Sequence, residues 1–264
     1  MMNYWAKRNY ENLNKIAGKT EKSINNKLRV YYGKVMKRVI KDFEDTFNKL
    51  IATISEGKQI TPADVYKLDR YWQLQNQVKQ EMHKLGNYEI ALLSKAFEQE
   101  WIEVYNSIQL PLNTPTFATV DADNAQAMIN TIWLADGKNF SKRIWNNTEN
   151  LVETLNDNLI HCVITGKKPS ELKKLLRERF NVSYNKADTL VKTEIAHIQT
   201  TAAAQRYKDA GLEMYEFYAE PDDRTCGDCA DLHGKKFYYS DMQPGINCPP
   251  MHPRDRCTIL PVID

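Results

Sequence analysis

The chain has 264 residues, 42% of them hydrophobic, with a formal net charge of +2, which provides for a real core and more than one folding unit of the soluble globular class. No window reaches the ~18 uninterrupted apolar residues of a membrane span. The opening MMNYWAKRNYENLNK lacks the apolar stretch of a secretory signal, so the expectation is folding in a reducing cytoplasm without a membrane partner.

The small net charge conceals segregation along the chain. Residues 1–50 carry twelve Lys and Arg against five acids, whereas residues 213–264 carry five against ten. A second basic tract, residues 167–192, sets eight Lys and Arg against three acids. Such tracts serve as solvated helix surface or as contacts to a phosphate backbone or an acidic protein face. The candidates for DNA contact are Lys34, Lys37 and Arg38 in the first tract and Lys167, Lys168, Lys173, Lys174 and Arg177 in the second.

In chain order, Ile24, Leu28, Tyr31, Val35, Val39, Phe43, Leu50 and Ile54 recur at spacings of three, four or seven, which predicts one long amphipathic helix from Ser23 to about Ile54. Thr61-Pro62-Ala63-Asp64 sets a capping hydroxyl, a first-turn proline and an early acid at a second helix start. That helix is expected to reach about Lys84, to break at Leu85-Gly86-Asn87, and to give way to a third over 88–108. "LPLNTPTFATVDAD", residues 110–123, reads as a linker, because its prolines continue neither a helix nor a central strand. Beyond it, four stretches show helical spacing, separated at Gly137, Gly166 and Asn181, and Gly211 is the expected C-cap of the last. "EMYEFYAE", "KKFYY" and "CTILPVI" read as strands. The expected fold is mainly α with a small C-terminal α+β module of short β-strands. Its regions are a helical 1–109, the linker 110–123, a helical 124–211 and a Cys/His-rich 212–264.

Four of five cysteines fall in the last region, as Cys226-x2-Cys229-x18-Cys248-x8-Cys257, with His233 and His252 among them. In a reducing compartment, clustered cysteines point to a metal before they point to disulfides. A Cys-x2-Cys turn brings two thiolates to one ion, and a later pair completes a tetrahedron. Cys226, Cys229, Cys248, His252 and Cys257 offer five donors for four positions, so the set stays open; the preferred one is Cys226, Cys229 and Cys257 with either His252 or Cys248. A closed thiolate and imidazole site is structural, with zinc the expected ion, and would stabilise a tail of about fifty residues that buries little by itself.

Two catalytic arrangements compete with that staple. His233, Asn247 and His252 follow the His, Asn, His order of a metal-dependent, HNH-like nuclease acting on DNA, without the Asp-His pairing or the helix that such a site needs. Glu194-x2-His197 has di-iron spacing, but such a bundle uses the motif twice and it occurs once. No nucleophile elbow, phosphate-cradling glycine loop or dinucleotide fingerprint is present.

"DGKNFSKRIWNNTENLVETL", "LVKTEIAHIQTTAAAQRYKDAG", "YAEPDDRTCGDCADLHGKKF" and "PGINCPPMHPRDRC" follow one another in an order and spacing that resemble the bacteriophage head morphogenesis family, the minor head proteins similar to the F protein of phage Mu. The resemblance covers roughly residues 135–264. It implies a non-enzymatic minor capsid component, made in the host cytoplasm and placed in the virion, in the capsid interior near the portal. The implied partners are the portal protein and DNA, with scaffold or major capsid protein as further ones. The family pattern falls on Thr193 and Glu194, Asp223 to Cys226, Cys229, Gly234-Lys235 and His252-Pro253. It departs at Asp255, where relatives commonly carry cysteine, which leaves the fourth ligand open and makes Asp255 itself a candidate. Glu194 and Arg224 are the expected ion pair joining helix to module.

Overall fold

The computed structural model describes residues 4–53, 61–66, 69–111, 122–134, 136–220 and 222–263. The helices are α1 (Tyr4–Thr53), α2 (Pro62–Tyr66), α3 (Asp69–Ser107), α4 (Ala122–Ile129), α5 (Phe140–Ile164) and α6 (Pro169–Asp209). The C-terminal module follows as β1 (Met214–Tyr218), α7 (Gly227–Leu232), β2 (Lys236–Tyr238), a 3-10 turn (Tyr239–Asp241) and β3 (Thr258–Pro261). The fold is mainly α with a small α+β module, as expected. Among the described residues no helix is long and apolar enough to cross a membrane.

The chain divides into two compact units, each assembled from separated segments. Unit 1 takes Met1–Asn25, Leu92–Ser141 and Asp188–Asp264, and unit 2 takes Asn26–Ala91 and Lys142–Ala187. Of the expected linker 110–123, residues 112–121 lie outside the described residues.

Unit 2 is built from helical periodicity. Leu28, Tyr32, Val35, Val39, Phe43 and Phe47 form one buried stripe, and Leu74, Val78, Met82 and Leu85 form another. Each such side chain contributes roughly 1.5–3 kcal/mol when fully buried. The expected first helix is longer than its apolar pattern, since α1 begins at Tyr4. Within it Tyr32 is buried, while Tyr31 is half-buried and stacks on Tyr88 with ring centroids 3.9 Å apart. The Leu50 side chain and Ile54 lie outside the described residues.

Two expected helix breaks do not occur. α3 runs through Leu85-Gly86-Asn87 because Gly86 is a packing glycine: a Cβ there would sit 2.7 Å from Cζ3 of Trp145. α6 likewise passes Asn181, an exposed position where a helix accommodates asparagine at a few tenths of a kcal/mol. The second helix does start as predicted, with Thr61 N–H and Oγ donating to the Asp64 carboxylate at 3.1 and 2.7 Å. It ends at Tyr66 as α2; residues 67–68 lie outside the described residues, and α3 starts at Asp69.

Unit 1 packs Leu13, Ile16, Phe97, Trp101, Ile195, Ile198 and Tyr207 into a helical core. Gly211 ends α6 with φ of 80°, and the bonds Leu212 N–H to Tyr207 O and Gly211 N–H to Lys208 O make a Schellman cap. The chain then turns into an antiparallel sheet of order β2-β1-β3, with Tyr215 opposite Phe237 and Phe217 opposite Ile259. Alternation along β1 buries Tyr215 and Phe217, which fixes the register.

Candidate metal centre

Cys226 caps the N-terminus of α7, and its sulfur accepts the Cys229 N–H at 3.4 Å. One helical turn therefore sets the two thiols of the Cys-x2-Cys pair side by side. The loop before β3 supplies the rest, through His252 and Cys257.

Donor atoms of Cys226, Cys229 and His252 lie within 4.8 Å of one another, as do those of Cys229, Asp255 and Cys257. Cys229 belongs to both groups. Zinc bonds of about 2.3 Å to sulfur and 2.0 Å to nitrogen at tetrahedral angles place a thiolate and an imidazole nitrogen about 3.6 Å apart. Cys229 Sγ and His252 Nε2 are 3.7 Å apart. The tautomer suits this, because His252 Nδ1 lies 3.0 Å from the Pro253 carbonyl, an obligatory acceptor, so Nδ1 carries the proton and Nε2 keeps its lone pair.

Asp255 is buried, and both of its oxygens are used by the loop: Oδ2 accepts the Met251 N–H at 2.7 Å and Oδ1 the Cys257 N–H at 2.9 Å. It brackets the segment that presents His252 and Cys257. Cys248 stands apart: it is fully buried, its thiol donates to the Pro249 carbonyl at 3.3 Å, and it belongs to neither donor group. Cys226, Cys229, His252 and Cys257 are thus close enough to hold one metal ion, and all five cysteines are free thiols.

The electrostatics follow from burial. Phe217, Ala219, Leu232, Phe237 and Met251 pack around Cys229 and Cys257. Burial pushes the Cys229 thiol up to about 12 and raises Cys257 as well, whereas the Cys229 N–H lowers Cys226. Two buried thiols therefore stay neutral unless a cation compensates them, which is the condition that a metal meets.

Among the described residues, neither His233 nor the Glu194 and His197 pair belongs to a group of three or more metal-ligating side chains. His233 Nδ1 accepts the Ala219 N–H at 3.2 Å, which ties its ring to the end of β1. Asn247 is a loop staple: Oδ1 accepts the Gln243 N–H at 2.8 Å and Nδ2 donates to the Asp241 carbonyl at 2.7 Å. Glu194 and His197 both engage Trp133, whose Nε1 donates to Glu194 at 3.1 Å and whose ring stacks on His197 at 4.4 Å. Burial lowers His197 to about 3, so it stays neutral. In place of the expected pairing with Glu194, Arg224 is held by Asp222 at 3.2 Å, and Asp222 also receives both terminal nitrogens of Arg256. Trp133 gave no sequence signal for this role, because it lies 61 positions from Glu194.

All eight DNA-contact candidates fall within unit 2. Arg38 is paired with Glu81 at 3.0 Å and Lys173 with Glu44 at 3.0 Å, while Lys167 is half-buried. Lys34, Lys37, Lys168, Lys174 and Arg177 are exposed.

No curated protein and no solved structure matches this chain. Residues 153–260, about two fifths of it, match a family model described as phage Mu protein F like protein. The matched segment runs from α5 through α6 to β3 and takes in every donor of the metal cluster. Over that segment the chain is similar to the phage Mu F family, and the resemblance to bacteriophage head morphogenesis proteins read from its four motifs is supported.

Proposed function

We propose that this chain is a minor head protein of a bacteriophage, without enzymatic activity, whose C-terminal module is held by one structural zinc ion. The observation that carries the reading is the family match over residues 153–260, with the four-donor cluster inside it. Bound zinc would supply a closed tetrahedral tie and no open position for substrate. The chain's own residues do the rest: Cys226 and Cys229 come from one turn of α7, and Asp255 fixes the loop that brings His252 and Cys257.

In this reading the protein is made in the host cytoplasm and placed inside the capsid near the portal, with the portal protein and DNA as partners and scaffold or major capsid protein as further ones. The exposed lysines and arginine of unit 2 supply the DNA contact. Each phosphate they neutralise steepens the fall of log K with log salt by about 0.9 on duplex.

The test is co-expression with the cognate portal protein, read by co-sedimentation with portal rings, together with duplex binding at several salt concentrations. Co-sedimentation and a steep salt slope that Lys34→Glu, Lys37→Glu and Lys174→Glu flatten are expected. A chain that stays free of portal rings and binds DNA with no salt dependence would contradict the assignment.

A further inference from the structure

The loop carrying His252 and Cys257 is held from outside the cysteine module. Arg254, between those two donors, has φ of 61°, a left-handed conformation that residues with a Cβ adopt sparingly. Three bonds to α6 keep it there. Its backbone N–H donates to Thr193 Oγ1 at 3.1 Å, its Nε to Thr189 Oγ1 at 3.0 Å, and a terminal nitrogen to Asp188 Oδ2 at 2.7 Å.

The Thr193 hydroxyl is directed for this task. It donates to the Thr189 carbonyl at 2.8 Å, so its proton is engaged and a lone pair is left for the Arg254 N–H. Asp188 is fixed in turn, accepting Asn25 Nδ2 at 2.8 Å and Lys192 Nζ at 3.1 Å. Neither Asp188 nor Thr193 belongs to the donor cluster, and both lie more than 60 positions from Arg254 in the chain.

We propose that Asp188 and Thr193 are positioning residues of the metal centre: by clamping Arg254 to α6 they hold the 251–257 loop in the conformation that turns His252 and Cys257 toward Cys226 and Cys229. This rests on the reading that the cluster binds a metal. Without the clamp, Arg254 relaxes toward an ordinary backbone conformation, and the two late donors lose register with the early pair. Outer partners of metal ligands typically set affinity by about 10- to 100-fold.

The experiment uses the full chain under reducing conditions. Zn²⁺ affinity is measured by chelator competition, and the visible absorption of the Co²⁺-loaded protein reports donor geometry. Thr193→Val deletes the acceptor at nearly constant volume and leaves the Asp188 contacts alone. It is expected to weaken Zn²⁺ by about 10- to 100-fold and to shift the Co²⁺ bands, while Thr193→Ser retains wild-type behaviour. Asp188→Asn is expected to act in the same direction. Because Asp188 also holds Asn25 and Lys192, Arg254→Gly provides a second route: glycine accepts the positive φ but deletes the guanidinium contacts, so affinity falls there too.

Thr193→Val and Arg254→Gly with wild-type affinity and an unchanged Co²⁺ spectrum would overturn the proposal and leave the metal reading standing. A wild-type chain that takes up neither Zn²⁺ nor Co²⁺ would overturn both.

Discussion

Unit 2 and the loop before β3 reach order by opposite means. In unit 2, α1 and α3 meet α5 and α6 through stripes of buried apolar side chains at helical spacing, and polar groups are exceptions. In the 251–257 loop polar groups do much of the ordering: Asp255 accepts two backbone N–H groups, Thr193 accepts the Arg254 backbone N–H, and Thr189 and Asp188 accept its guanidinium. A helix satisfies its own backbone and needs only a face to bury, whereas an irregular loop must find a partner for every buried polar group. On the proposed reading, the difference teaches where an ion would matter: in the loop, which leans on polar contacts beside the packing of Met251 and Cys257.

The largest effect should come from removing donors. Cys226→Ser or Cys257→Ser, or a chelator applied to the wild type, is expected to release zinc and with it stabilisation that reaches on the order of 10 kcal/mol in small zinc modules. Hydrogen exchange should quicken across residues 214–261 and stay slow in the buried stretches of α3 and α5 within unit 2. Uniform loss of protection in both regions would break the comparison.

Next comes Glu89, a polar exception inside unit 2. It is buried, takes the Tyr32 hydroxyl at 3.2 Å on one oxygen, has no hydrogen-bond partner on the other among the described residues, and burial raises it to about 7. Its folded value lies above its ordinary one of 4.5, so the fold binds the extra proton. Its contribution is complete below about pH 4.5 and is lost as pH rises through about 7. Glu89→Gln, neutral throughout, should flatten that decline and stabilise the protein above pH 7 by on the order of 3 kcal/mol. Denaturant midpoints from pH 4.5 to 8 check this; parallel curves for the two proteins would refute it. Glu100 in unit 1, held by Thr20 and Gln199 and also raised to about 7, adds slope that this variant leaves behind.

Packing is tested by two glycines in long helices, one in each unit. Gly86→Ala drives a methyl into the Trp145 ring and is expected to cost about 1 kcal/mol net, overpacking of roughly 1–3 kcal/mol exceeding a helix-propensity gain of about 1 kcal/mol. Gly18→Ala, in unit 1, meets nothing within 4 Å and should stabilise by up to about 1 kcal/mol. Thermal midpoints that moved in the same direction would refute the contrast. The smallest effect belongs to Arg224→Ala. The side chain is 77% exposed, and Asp222 keeps Arg256 as a partner, so stability should change by less than about 0.5 kcal/mol.

The sequence made the architecture legible wherever a local rule governed it. The strands, the ends at Gly166 and Gly211, the capping box at Thr61 and Asp64, and the gathering of cysteines all follow from patterns within a few residues, whereas α4 stops at Ile129, well before the end expected at Gly137. What escaped depends on residues far apart. Gly86 reads as a breaker until Trp145 occupies its missing side chain. Asp255 stays within donor distance of Cys229 and Cys257 while its oxygens also accept the Met251 and Cys257 N–H groups, a double placement that a single sequence position does not reveal. The clamp from α6 onto Arg254 has no sequence signature, because it joins positions over 60 residues apart.

The most direct measurement is zinc content per chain, under reducing conditions, for the wild type beside Cys248→Ser, Cys257→Ser and His252→Ala. The account predicts one tightly held ion in the wild type and in Cys248→Ser, and its loss in the other two. An ion that depends on Cys248 and ignores His252, or a wild type without zinc, would contradict it.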